Sequence, residues 1–392
     1  MSLVPRTEEA NLGLLQYQVM HEMYKRLFFA RFTGFVKVDP VTGEEIPPEK
    51  PIIMKTDFES QGMDSILIPM LKNLTQVAKY GDAQVTNQGE KQDIWYNKAY
   101  INQRIGVVKP PARMGNQRIK RLNLFEMSRP QLSDWLARDT EVQIMRAFYR
   151  GHSENILAAT ADGGLGISER YHPAIFTPDA GRITWSGTTA TYANNIHTAV
   201  NGWAGADNQI MSADALWKFR AFCNKREIPA MNFGGHEIRP LLLHTNQVRQ
   251  LTLDPEFMAS FQHGAPREFK GNPIFNGMFH FYAGFALFER EFSVFGISTT
   301  ASAVTWGATN PKSAVDTYPT KAAVTFGPSA ICGGWAFGPH FEEEVTNHAI
   351  NREVSIAMID GYARGEHSDS TSSPSAEPIQ KSSALLLTYS PD

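Results

Sequence analysis

Apolar and polar positions change period several times along the chain, and each change predicts an element. Leu132, Trp135, Leu136, Val142, Met145 and Phe148 recur at helical spacing and form one stripe over residues 128–151. Ser128 with Gln131 three places later predicts a capping box, Pro130 suits a first turn, and Gly151 supplies the stop. Such a helix is roughly 35 Å long at ~1.5 Å per residue, the length of a domain. A second helix is predicted over 211–225 through Leu216, Trp217, Phe219 and Phe222. Three consecutive leucines, Leu241, Leu242 and Leu243, predict a short buried strand that runs into a helix start at His244, Thr245 and Asn246. Alternating short strands and helices continue to about residue 340, so the middle block reads as a mixed α/β domain.

Before the long helix the pattern is different. Leu14, Leu15, Tyr17, Val19, Met20, Met23, Tyr24, Leu27 and Phe28 give a wide apolar face, and Pro40, Pro47, Pro48 and Pro51 then interrupt regular structure. Residues 1–60 therefore read as an arm, a helix attached to an extended strap, whose apolar face needs either its own domain or a neighbour to lie on. Residues 62–110 read as a long β-hairpin. One strand holds Ile66, Leu67, Ile68 and Pro69, the other runs from about 93 to 108, and Gly81, Asp82, Asn87, Gly89 and Glu90 form a polar stretch between them. A two-stranded ribbon is marginal in water, so this one needs a partner. Residues 152–206 read as loop and short strands. Residues 341–361 alternate as strand, 363–381 are Ser-rich loop, and Leu385, Leu386 and Leu387 read as a final strand returning to a sheet.

Composition narrows the classes. The chain has 392 residues, 42% hydrophobic and 20% charged, enough for two or three folded units. A net charge of −3 argues against a dedicated nucleic-acid binder. Two cysteines, Cys223 and Cys332, are too few for a disulfide framework, and two free buried thiols are expected. Neither a signal peptide nor a membrane span is read from the sequence. Residues 102–125 hold Arg104, Lys109, Arg113, Arg118, Lys120 and Arg121 with no acid among them. That run is either a solvated face or a contact with packaged DNA or an acidic patch on an adjacent subunit.

Catalytic patterns are not found. His236-Glu237 lacks the second histidine of a zincin helix, and Asp162-Gly163-Gly164-Leu165-Gly166 reads as a turn. Glu342, Glu343 and Glu344 lie between His340 and His348, but neighbouring carboxylates on a strand point to opposite faces and cannot all converge on a metal. No catalytic residue, metal or cofactor is assigned.

Several segments resemble one family. Gly62-Met63-Asp64 leads into Ile66-Leu67-Ile68-Pro69, and Gly89-Glu90, Tyr96-Asn97 and Ile101-Asn102-Gln103 follow. Further on stand His244-Thr245-Asn246-Gln247, Leu251, Asp254-Pro255 and Phe257, then Gly271-Asn272-Pro273-Ile274-Phe275-Asn276-Gly277, Tyr282, Gly284 and Glu289. Together they resemble the major capsid proteins of tailed phages in the N-four-like group. The resemblance implies an α+β chain with the Hong Kong-type phage capsid fold. It assigns 1–60 to an N-terminal arm, 61–110 to an extended hairpin or E-loop, and 111–205 to a peripheral domain with the spine helix 128–151. It assigns 206–340 to an axial domain and 341–392 to peripheral-domain strands and the C-terminus.

The implied function is self-assembly into hexamers and pentamers of an icosahedral virion head, by way of a procapsid, in the host bacterial cytoplasm. Implied partners are further copies of the chain, a separate scaffolding protein, a portal, and packaged double-stranded DNA held without sequence-specific binding; no membrane is involved. The assembly-contact candidates are Tyr24 and Phe28 on the arm, Gly89, Glu90, Trp95 and Tyr96 on the hairpin, and Arg104, Arg118, Lys120 and Arg121 in the basic run. Two other readings stay open. A decoration or tail subunit would not need arm, hairpin, spine and axial block in one chain. A mixed α/β hydrolase would need a pocket of converging titratable groups.

Overall fold

Three leucines in a row are buried together only where a strand is covered on both faces. Leu241, Leu242 and Leu243 are fully buried, as are their counterparts Leu385, Leu386 and Leu387 near the C-terminus. The computed structural model describes residues 27–38, 45–46, 48–55, 65–71, 94–109, 124–150, 183–185, 210–233, 236–263, 278–290, 296–300, 303–306, 320–346, 351–367 and 380–390.

A 3-10 turn at Phe28–Phe32 leads to β1 (Thr33–Phe35), β2 (Lys37–Val38), β3 (Glu45–Ile46) and β4 (Ile52–Lys55). The strands β5 (Ser65–Leu71) and β6 (Ile94–Tyr100) precede β7 (Asn102–Val108), helix α1 (Leu124–Arg150) and β8 (Ile183–Trp185). Next come α2 (Ala213–Lys225), β9 (Met231–Phe233), β10 (His236–Leu243), α3 (Thr245–Leu253), α4 (Pro255–His263), β11 (His280–Tyr282) and β12 (Phe285–Glu289). The chain continues through β13 (Gly296–Thr300), β14 (Ala303–Trp306), β15 (Thr320–Phe326), β16 (Ile331–Thr346) and β17 (Asn351–Arg364). The short ladder of β18 (Glu366–His367) with β19 (Gln380–Lys381) precedes β20 (Ser383–Tyr389).

Two sheets carry the body. A five-stranded sheet runs β1-β4-β16-β17-β7, with β7 at one edge. A nine-stranded sheet is built on β11-β12-β10-β15, with β20 on the far side of β15 and β8 beyond it. Side-chain alternation divides the core. Leu241, Leu243, Phe285, Leu287, Ala323, Ala384 and Leu386 face α2, α3 and α4. Leu242, Ala286, Phe288, Val324, Phe326, Leu385 and Leu387 face α1 and the 3-10 turn.

Local signals account for the helix starts. Ser212 caps α2 by accepting from the Ala215 N–H at 3.2 Å. His244 caps α3, with its Nδ1 accepting from Asn246 at 3.2 Å and Gln247 Oε1 accepting from the His244 N–H at 3.0 Å. Gln247 then donates to Thr388 Oγ1 at 2.7 Å, which fixes the helix over the C-terminal strand.

The structure alters or sharpens four expectations. Helix α1 begins at Leu124, a turn before Ser128, so Pro130 lies inside it and has no N–H to give to the Glu126 carbonyl. The second hairpin strand is two strands, broken at Ile101. β16 begins at Ile331, and β20 returns as a strand to the nine-stranded sheet beside β15, where its three successive leucines are buried. Finally, the described end of the arm is core. Phe28, Phe29 and Phe32 wedge between α1 and the nine-stranded sheet, and Phe32 meets Phe326 and Phe288 at ring separations of 5.2 and 5.8 Å. Phe28 meets Phe288 at 5.6 Å, lies under the guanidinium groups of Arg31 and Arg290, and donates its N–H to Glu141 at 2.5 Å.

Helix α4 covers the edge strand β11, with Phe257 against both His280 and Tyr282. His280 lies against Phe257 and Phe261 at 5.4 and 5.1 Å, and its Nε2 is buried without a hydrogen-bond partner among the described residues. Burial holds this imidazole below its ordinary pKa of 6.5. The unfolded chain thus accepts the proton first, and stability falls as pH drops through the unfolded value. Between about pH 7.5 and about pH 5.5, wild type is expected to lose more stability than His280→Phe, measured by urea unfolding at each pH. Equal losses would show that His280 does not titrate against folding.

Candidate assembly surface and the root of the hairpin

β7 joins the ribbon to the body and shows two characters. Arg104 and Gly106 face inward to α1. Gln103, Ile105 and Val107 face away, and Ile105 and Val107 are 53% and 56% exposed although both are β-branched and apolar. Trp135 of α1 lies directly over Gly106, where a Cβ would overlap the indole, so glycine is required for this contact. Among the described residues β7 has one ladder partner, β17, so its other edge is free.

The inward side is held by charge. Arg104 Nε donates to Asp360 Oδ1 at 2.7 Å and a terminal nitrogen reaches Asp360 Oδ2, giving a two-pronged contact. The other terminal nitrogen pairs with Asp139 of α1, and Thr140 Oγ1 accepts at 3.2 Å while donating to the Leu136 carbonyl. Asp360 is fully buried and Arg104 nearly so. Burial opposes the charge of Arg104, but Asp360 and Asp139 outweigh it and hold the guanidinium proton more firmly than usual. Burial pushes the Asp360 carboxyl up against the pull of Arg104. The group ties β7, β17 and α1 together, although its members are far apart in sequence.

One strand residue further toward the ribbon, the backbones touch. A Cβ at Gly361 would overlap the Tyr100 carbonyl. Ala99, Tyr100 and Ile101 are buried there, with Ile101 in a small cluster with Ile53, Cys332 and Ala363. Beyond this root, β5 and β6 pair with each other from Ser65–Tyr100 to Leu71–Ile94 and with no further strand among the described residues.

The sequence candidates fall into three groups. Phe28 and Arg104 are buried in their own chain, which corrects the reading of Phe28 as a partner-facing residue of the arm and of Arg104 as part of a surface run. Phe28 fills the junction of α1 and the nine-stranded sheet, and Arg104 needs its two carboxylates. Trp95 and Tyr96 lie on β6, opposite Met70 and Pro69. Tyr24, Gly89, Glu90, Arg118, Lys120 and Arg121 lie outside the described residues. Sequence reasoning missed Asp139, Asp360 and Gly361, and the exposed side of β7. The alternation of Ile105 and Val107 with Arg104 and Gly106 was the available signal.

Other chemistry is modest. Cys223 and Cys332 are free and buried, and burial pushes the Cys223 thiol up to about 12. His340 Nε2 lies 3.4 Å from Glu342, whose side chain and that of Glu344 are exposed on β16. Among the described residues no group of three His, Cys, Asp or Glu could hold a metal, and no helix is long and apolar enough to cross a membrane.

The α+β body with its ribbon is similar in fold to solved phage capsids. The chain is similar to the capsid of Ralstonia phage GP4, with a TM-score of 0.63 at 17% identity over 93% of this chain and 92% of that one. It is similar to the capsid of cyanophage Pam1, with a TM-score of 0.61 at 14% identity over 94% and 93%. In sequence it is 23% identical to the major capsid protein of Pseudomonas phage KPP25 over 311 residues, 76% of this chain and 77% of that protein. The family model for phage capsid protein matches residues 18–372, and the chain belongs to that family.

Removing Arg104 alone leaves the buried Asp360 carboxylate without its cation. Arg104→Ala is expected to cost about 3–5 kcal/mol, whereas Arg104→Met combined with Asp360→Leu should recover most of that loss. Chemical unfolding of the three proteins measures it, and a mild single variant would show that the pair is not needed.

Proposed function

We propose that this major capsid protein builds the icosahedral head of a tailed phage as hexamers and pentamers. Assembly takes place in the host bacterial cytoplasm, on a separate scaffolding protein and with a portal, and the head then receives double-stranded DNA without sequence-specific contacts. The observation that carries the reading is the ribbon of β5 and β6, which shares no ladder with the described body of its own chain. Such a ribbon is marginal alone and gains stability when a neighbouring copy covers it. The free edge of β7, with Ile105 and Val107 exposed beside it, offers further surface of the same kind. Closed shells need heterologous contacts that close into rings.

Membership of the N-four-like group with the Hong Kong-type fold is supported by His244-Thr245-Asn246-Gln247 and the Gly271–Gly277 segment. In that frame residues 61–110 are the E-loop, α1 is the spine helix of the peripheral domain, and residues 206–340, with α2 to α4, are the axial domain. The contact residues then concentrate in the hairpin, with Gly89, Glu90, Trp95 and Tyr96, in Tyr24 of the arm, and in the basic group Arg118, Lys120 and Arg121. A modest net charge of −3 fits a shell that encloses DNA without gripping it.

Deletion of residues 72–90 is expected to leave a soluble, folded subunit that forms no closed shells in electron micrographs. Normal particles would remove the role given to the hairpin. Neutralising Arg118, Lys120 and Arg121 together should weaken assembly most at low salt and least at high salt, because screening already removes exposed charge contacts there. Light scattering across ionic strength measures it, and an unchanged yield at every salt concentration would count against the basic group.

A further inference from the structure

We propose that Gly361, Asp360 and Arg104 form a preset elbow that fixes the direction in which the ribbon leaves the body before any neighbour is met. The proposal rests on the hairpin being the assembly element and adds how its direction is set. The elbow lies at Ile101, where β6 of the ribbon gives way to β7 of the five-stranded sheet. Two consecutive residues of β17 hold it. Gly361 lies so close under the Tyr100 carbonyl that any side chain there would displace the junction. Asp360 pairs by register with Asn102 and grips the guanidinium of Arg104 with both carboxylate oxygens.

A planar two-pronged contact restricts orientation as well as distance, and Asp139 with Thr140 holds the same guanidinium from α1. Between these points Ala99, Tyr100 and Ile101 are buried. The chain from 99 to 104 is thus fixed by a backbone contact at one end and a buried charge group at the other. Sheet pairing alone would leave the β6–β7 break free to bend, since beyond Tyr100 the ribbon pairs only with itself among the described residues.

The test uses the full-length subunit purified before assembly. Spin labels are placed at Ile94→Cys on β6 and Arg138→Cys on the exposed side of α1, the native cysteines being buried. Pulsed electron resonance should give one narrow distance distribution. Gly361→Ala should shift or broaden it. Should Gly361→Ala fail to fold, Arg104→Met with Asp360→Leu decides, because it is expected to keep the unfolding midpoint while at least doubling the width of the distribution. A purely structural role for the pair would restore both. A broad distribution in wild type, or an unchanged one in the folded variants, would overturn the elbow. The measurement is made on free subunits, so a negative result here and normal shells from the 72–90 deletion are separate failures.

Discussion

The buried guanidinium of Arg104 is the contact on which the arrangement of the body depends. It binds the edge strand β7, the neighbouring strand β17 and the long helix α1 at one point, where none of the three carboxylate or hydroxyl partners is near it in sequence. Desolvating such a group is costly, and the gain over a well-packed apolar substitute is small. Its value is geometric. An apolar cluster of the same volume would tolerate sliding of β7 along β17, whereas a forked contact to a fully buried carboxylate accepts one register. The strand so fixed is the one that continues into the ribbon.

Around that point the chain separates what it satisfies internally from what it leaves unsatisfied. The nine-stranded sheet is covered on one face by α2, α3 and α4 and on the other by α1 and the phenylalanine wedge of residues 28–32. Buried polar side chains tie this interior together: Gln247 joins α3 to β15 and β20 through the Lys321 carbonyl and Thr388, and Thr325 donates to the Pro240 carbonyl at 2.9 Å. The ribbon pairs with no other strand among the described residues, and the outer side of β7 exposes Ile105 and Val107. A subunit made this way is rigid where it must hold its own shape and incomplete where it meets its copies.

The sequence made the interior legible wherever burial leaves a periodic trace. Two runs of three leucines announced strands, and His244 marked the start of its helix to within a residue, while the helix expected over 211–225 runs from Ala213 to Lys225. It failed where the decisive fact is a partner distant in sequence. Arg104 stands in a run of cations without acids, so it read as solvated or partner-facing, yet its acids come from positions 139 and 360. Phe28 lies on an apolar face that fits a neighbour as well as its own core, and only the ring contacts with Phe288 settle that. Gly361 carried no local turn signal, because its requirement comes from the Tyr100 carbonyl of another strand. Of the candidate contact residues, Tyr24, Gly89, Glu90, Arg118, Lys120 and Arg121 lie outside the described residues.

These failures share a physical cause that bears on how the shell is made. Two residues that read as adhesive, Phe28 of the arm and Arg104, the first arginine of the basic run, are used up inside the subunit. Among the described residues, what β7 offers to neighbours is backbone edge and β-branched surface. Edge and sheet contacts are directional but weak one by one, so their strength comes from the number of copies that close a ring. A lone subunit therefore gains little by pairing wrongly, while a ring whose ribbons all leave their bodies in one direction gains every contact at once. On this reading, the fixed root at Ile101 is what turns weak surfaces into a closed assembly, and a looser root would weaken the shell without weakening any single contact in it.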